Sequence, residues 1–230
     1  MTEFNGLPKD FFAFFNELHF NNQKPWFEAN KGRYKASVVE PLSALISEIG
    51  ARMPKLTKHI VCDPRPNGGS MFRIYRDTRF SKDKSPYKTN AGLHFRSTWG
   101  KDAHAPGFYM HFAPKEVFFG GGIWMPGPDA LSHIRRAIAE NTKEWTKTKA
   151  ALSATQLFNG IEGEALSRPP KGFDAGDPHV DDLKRKSFYV MHASTEKAAQ
   201  SPNLVQDAMS AFTAAKPLMT FLSKAVGTPF

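Results

Sequence analysis

Residues 73–89 read RIYRDTRFSKDKSPYKT, and it is here that residue types and spacing first point to chemistry. The stretch holds Arg73, Arg76, Arg79, Lys82, Lys84 and Lys88 against two acids, Asp77 and Asp83, with Tyr75, Phe80 and Tyr87 set among them. A guanidinium is a rigid fork of donors that fits phosphate or carboxylate oxygens, and an ammonium adds point charge. An aromatic ring beside such groups can stack on a base. The stretch therefore points to an anion site, most naturally for phosphate. The competing reading is a solvated loop whose arginines pair with Asp77 and Asp83, or whose acids cap the loop. Two acids do not neutralise six cations within the stretch, although acids elsewhere could.

A second set of candidates comes from alternation. In MFRIYR (71–76), AGLHFRS (91–97) and GFYMHFA (107–113), apolar and polar residues take turns. If the strands pair in sequence order, Arg73, Tyr75, His94, Arg96, Tyr109 and His111 share one face, with Leu93, Phe95, Met110 and Phe112 on the other. Rings, guanidinium groups and imidazoles together suit the floor of a polar pocket. His94 or His111 could move protons there, and so could Asp77 beside the basic stretch. A histidine on a half-buried strand can equally be a hydrogen-bonded structural group. The ligand-binding set is then Arg73, Arg76, Arg79, Lys82, Lys84, Tyr87, Lys88, Arg96 and Tyr109.

Other motifs carry less. Asp77, Asp83, His94 and His111 are suitable metal ligands, but no spacing ties them together and no HExxH is present, so no metal site is expected. The fragments PD (128–129) and DLK (182–184) resemble a metal-dependent nuclease pattern that wants strands, and both fall in helical contexts. GGGIW (120–124) is not a phosphate loop; its glycines suit a bulge or a close backbone approach. Trp26, Trp124 and Trp145 are expected as packing rings, Lys184, Arg185 and Lys186 as a solvated face. Cys62, the one cysteine, is not expected to be a reactive thiol.

Several elements must position these residues. Helical spacing after Pro8 (Phe11, Phe15, Leu18) predicts a first helix, and NNQKP (21–25) breaks it. A second helix runs from Pro25 past Trp26, Phe27 and Tyr34. A third begins or kinks at Pro41 and carries Leu42, Leu45, Ile46 and Ile49. The loop CDPRPNGG (62–69) leads into four strand candidates: 71–76, 91–97, 107–113 and the doubly apolar EVFFGGGIW (116–124). Helices follow at 128–139 and 142–153. After the loop RPPKGFDAGDPH (168–179) come a short helix near 178–183 and a strand at 187–192. The last helix is expected to be capped by Ser201, with Pro202 in its first turn and a kink at Pro217. These elements describe one α+β domain over residues 1–230, its mainly antiparallel central sheet flanked by N-terminal and C-terminal helices.

Composition bounds the class. The chain has 230 residues, 40% hydrophobic and 23% charged, which is ordinary for a globular protein. Phe supplies 20 rings against 5 Tyr and 4 Trp; having no polar handle, most should be core. The formal charge of +9 suits nucleic acid, phosphorylated metabolites or anionic surfaces. A lone cysteine excludes a disulfide framework, no signal peptide opens the chain and no apolar run is long enough to span a membrane. A cytoplasmic protein is expected.

Four stretches carry a resemblance to a known family: NNQKPWFEANKGRY (21–34), FRIYRDTRFSKDKSPYKTNAG (72–92), GGGIWMP (120–126) and RPPKGFDAGDPHVDDLKRKSF (168–188). In them the chain resembles the bacterial and fungal proteins grouped as domain of unknown function 2461. The resemblance spans most of the chain but implies no activity, cofactor or catalytic residue. Function then rests on the residues: a binder of a phosphate-bearing small molecule or nucleic acid, an enzyme acting at the same site, or a domain whose arginines brace its own loops. Salt-dependent affinity would separate the first two from the third.

Overall fold

A computed structural model describes residues 4–97 and 105–230. The N-terminal helix α1 (Lys9–Phe20) follows Pro8, whose ring fixes an extended-to-helix entry at φ −67°. It buries Phe11, Phe12, Phe14, Phe15 and Leu18. Two short helices, α2 (Lys24–Ala29) and α3 (Lys31–Tyr34), replace the single second helix expected from sequence. From α3 the chain passes through a π-helical turn, Lys35–Val39, into α4 (Glu40–Arg52). Pro41 accounts for that turn: its ring crowds the carbonyl of Ser37, and the wider winding, with Glu40 N–H donating to Lys35 O, makes room.

The sheet has five strands in sequence order: β1 (Ile60–Val61), β2 (Ala91–Ser97), β3 (Gly107–Ala113), β4 (Glu116–Ile123) and β5 (Phe188–Ser194). All neighbours are antiparallel. With helices before and after it, the fold is α+β, as the alternation predicts. The segment 71–76 is not a strand. It touches the sheet at one bridge, Met71 to Leu93, where Phe72 N donates to Gly92 O and His94 N to Ser70 O. Beyond Phe72 the chain leaves β2 and pairs instead with residues 86–88.

Helices α5 (Pro128–Glu140) and α6 (Thr142–Ala154) fall where helical spacing places them. They are followed by α7 (Val180–Leu183) and α8 (Glu196–Ala199). The last helix, α9 (Leu204–Val226), starts two residues later than a Ser201 cap requires. Ser201 Oγ accepts from Asn203 N in the turn before it, a local bond that competes with capping. Helix α9 runs through Pro217 to Gly227, which ends it in the left-handed conformation, φ 73°.

One sheet face is the floor of the core. Leu93, Phe95, Phe108, Met110, Phe112 and Phe119 are fully buried. Phe212 of α9 stacks on Phe108 at 4.5 Å, and Phe11 of α1 meets Phe112 edge-on at 5.9 Å. Strand β4 carries glycines where β5 comes closest. A Cβ at Gly120 would lie 1.9 Å from Val190 O, and one at Gly122, whose φ is 151°, 2.2 Å from Phe188 O. The close backbone approach expected of this run is what the glycines allow. No helix among the described residues is long and apolar enough to cross a membrane.

Candidate functional site

The register decides what the outer sheet face presents. His94 pairs with Tyr109, Gly92 with His111, and Arg96 with Gly107. His94, Arg96, Tyr109 and His111 therefore lie on one face, opposite the buried Leu93, Phe95, Met110 and Phe112, as expected. On β4 and β5 the same face carries Phe118, Gly120, Gly122, Tyr189 and Met191. The glycines leave a trough along the middle of the sheet. Its volume is about 800 Å³, within the range of small-molecule sites. Phe72, Tyr109, Phe118, Trp124 and Tyr189 provide aromatic walls, and Glu116 and Glu162 stand at the rim. Residue Glu162 is placed there by its own pairing with Tyr189 on the β5 edge.

A smaller cavity of about 360 Å³ adjoins it, lined by Phe72, Arg76, Asp77, Lys88, Asn90, Gly92 and Tyr109. Phe72 and Tyr109 border both cavities, so they form a seam between an aromatic trough and a cationic end. At the seam a chain of polar groups runs back from Tyr109. Its hydroxyl lies 3.1 Å from His111 Nδ1, and His111 Nε2 lies 3.7 Å from Glu116 Oε2. The imidazole is held flat on Phe118, 4.6 Å between ring centres and 1° between planes. Burial pushes the His111 pKa below the usual imidazole value, against the pull of Glu116. Burial, then the Glu116 charge, pushes the Tyr109 phenol up to about 12. Both are neutral near pH 7.

The basic stretch folds as a clamped loop. Tyr75 bridges Tyr87, Arg76 N donates to Pro86 O, and Lys88 N donates to Ile74 O. Asn22 fastens the loop to the N-terminal helices, accepting from Tyr87 N at 3.0 Å and donating to Tyr87 O at 2.9 Å. At the tip the acids are spent locally. Asp77 accepts a forked pair from Arg79, which with the Arg79 backbone N–H holds its carboxyl down to about 2. Asp83 accepts from Ser85 and from Arg76 and is depressed in the same sense. Lys84 donates to Thr78 O.

Of the residues expected to bind ligand, Arg76, Lys88 and Tyr109 line the cavities, joined by His94 and Asp77 from the proton-moving candidates. Arg73, Arg79, Lys82 and Lys84 are exposed and line neither. Arg96 stands on the shared face beyond the trough. Tyr87 is buried, stacked on Phe27 at 4.2 Å, and serves as the anchor of the loop. Arg73 and Tyr75 are not on the sheet face, because 71–76 is not a strand. Half-buried Lys88 is the distinctive cation: its ammonium donates to Arg73 O at 3.0 Å and lies 5.4 Å from the Phe72 ring centre. Burial, then the Arg73 charge, lowers its pKa.

Sequence reasoning missed Phe72, Asn90, Glu116, Trp124 and Tyr189. Alternation turns Phe72 to the side of Ile74, away from Arg73 and Tyr75, but Ile74 is buried whereas Phe72 is 39% exposed and stacks on His94. Trp124, expected as a packing ring, is 62% exposed at the trough wall, whereas Trp145 is fully buried. No motif marks Glu116 or Tyr189, since only the β3–β4 and β4–β5 registers bring them to the site. Cys62 is half-buried and burial pushes its thiol up to about 12, consistent with an unreactive side chain. Among the described residues no three His, Cys, Asp or Glu side chains gather as a metal site.

A family model described as a conserved hypothetical protein (DUF2461) matches residues 10–221. No curated protein matches the chain.

Proposed function

This chain belongs to the DUF2461 family, whose description names no activity, and we propose that it binds a nucleotide-like ligand across the seam. The phosphate sits at Lys88 and Arg76, and the flat ring lies in the aromatic trough. One observation carries this: a cationic cavity and an aromatic trough share Phe72 and Tyr109 as a common wall. A half-buried ammonium has lost part of its hydration, so it gains more from a bound anion than a solvated lysine does. Three N–H donors also leave Lys88 able to reach phosphate while it holds Arg73 O. The trough and the smaller cavity are sized for a mononucleotide rather than a long strand.

Calorimetry and thermal melts with inorganic phosphate, nucleosides, nucleoside monophosphates and a short oligonucleotide test the proposal. Monophosphates should bind more tightly than either half alone. Lys88→Met removes one charge-assisted bond, about 1.5–3 kcal/mol, so affinity should fall about 10- to 100-fold with the fold retained. A specific observation favours a second reading, in which the loop only braces itself: Arg76 pairs with Asp83 and Arg79 with Asp77. Under that reading Arg76→Ala lowers the melting temperature and no anion moves it in the wild type.

A further inference from the structure

Resting on the ligand reading above, we propose that Tyr109, His111 and Glu116 act as nucleophile, base and orienting acid in hydrolysis of a phosphate monoester. The geometry is that of an activated nucleophile. A hydroxyl lies within hydrogen-bond reach of a base, and a third group stands behind that base. Glu116, beside Nε2, favours the tautomer with its proton on that nitrogen, which leaves Nδ1 to accept from the Tyr109 hydroxyl. The face-to-face contact with Phe118 fixes the plane in which it does so.

The hydroxyl also stands where the reacting atom would be. A Cβ on Gly92 would lie 2.9 Å from Tyr109 Oη and 3.0 Å from Phe72 Cδ2, so the phenol oxygen rests over a bare stretch of β2. Gly92 and Phe72 line the cationic cavity together with Lys88 and Arg76. A phosphate held by those two cations is presented to Tyr109 Oη. Donors already in place for the ligand phosphate would carry the charge that spreads over its oxygens in the transition state.

In the first step the Tyr109 oxygen bonds to phosphorus and the ester P–O bond breaks in line. The phenolic proton passes to His111 Nδ1, and the departing alkoxide takes a proton from solvent. In the second step water attacks the phosphotyrosyl phosphorus and the Tyr109 O–P bond breaks. The relay proton returns from His111 to Tyr109, and the products are an alcohol and inorganic phosphate. Water is the only co-reactant and no electrons change hands.

The groups against the imidazole are Tyr109 on its own strand, Glu116 and Phe118 on β4, and Gly92 on β2. Because the base must be neutral, the rate should rise with pH through the depressed His111 pKa and be level above it.

The full chain is incubated with p-nitrophenyl phosphate, quenched in acid and weighed intact, while p-nitrophenol release is followed. Nucleoside monophosphate binding is measured on the same samples by thermal shift. The wild type should release p-nitrophenol and gain one phosphoryl group at Tyr109. Tyr109→Phe should lose both. His111→Asn should slow release about 100-fold or more, and Glu116→Gln should slow it less while moving the pH profile. A wild type that binds the monophosphate but releases no p-nitrophenol overturns the relay and leaves the binding proposal standing. Full turnover by Tyr109→Phe also overturns it. A melting temperature that no phosphate ligand moves, with no release, overturns both.

Discussion

Asp182 shows how a single side chain can fix a long irregular segment. It is 6% exposed and accepts from Trp145 Nε1 at 2.8 Å, Lys149 Nζ at 2.9 Å and Arg185 Nε at 3.3 Å. Burial by itself would raise its pKa; the donors from Lys149, Trp145 and Arg185 outweigh that and set it below the usual value. A carboxyl whose folded pKa is depressed contributes stability above its unfolded pKa, about 3.9 for Asp. That contribution disappears as pH falls through the folded value. Urea midpoints should therefore hold from neutrality to about pH 4–5 and drop below it. Asp182→Asn should remove the steepest part of that drop. It should also cost about 2 kcal/mol, less than the ~3–5 kcal/mol of a fully buried pair, because Lys149 and Arg185 still reach water. Unfolding curves of both proteins at neutral and acid pH check this. For 182–184 the sequence offers a short helix, a nuclease-like fragment and a solvated face, because nothing local reveals that a tryptophan 37 residues away donates to Asp182.

At the scale of elements, alternation placed β2 and β3 correctly because each buries one face over a full strand length, and a doubly apolar run placed β4 to within a residue. Alternation failed at 71–76. There two aromatic contacts, Phe72 with His94 and Tyr75 with Tyr87, occupy positions that a period-2 pattern gives to the core or to solvent. The GGG run in β4 was legible as a backbone approach, and its consequence can be measured. Gly120→Ala should cost about 3 kcal/mol, since a Cβ 1.9 Å from Val190 O forces β4 and β5 apart. Amide exchange in β5 should accelerate more than in β2. Equal protection of both strands in the variant would mean that the sheet absorbs the side chain without opening.

The whole molecule has one continuous core, running from Phe11 and Phe15 of α1 through the inner sheet face to Phe212 and Leu222 of α9. We propose that it unfolds as one domain. Calorimetric and van't Hoff enthalpies should agree, and tryptophan fluorescence and far-ultraviolet dichroism should report the same midpoint. Separated transitions would divide the N-terminal helices from the rest.

The sequence by itself determined the family, the α+β class, two strands to the residue and the common face of His94, Arg96, Tyr109 and His111. The family rests on four matching stretches of sequence, whereas the strands and their shared face follow from local periodicity, which a strand repeats every two residues. Only the tertiary structure decided which basic residues face a cavity. Arg79 is turned into an exposed pair with Asp77, whereas Lys88 is drawn under Phe72, and a charge count gives both the same weight. Glu116 and Tyr189 reach the trough through strand registers set by burial of the opposite face, and that energy is shared by residues far apart in the chain.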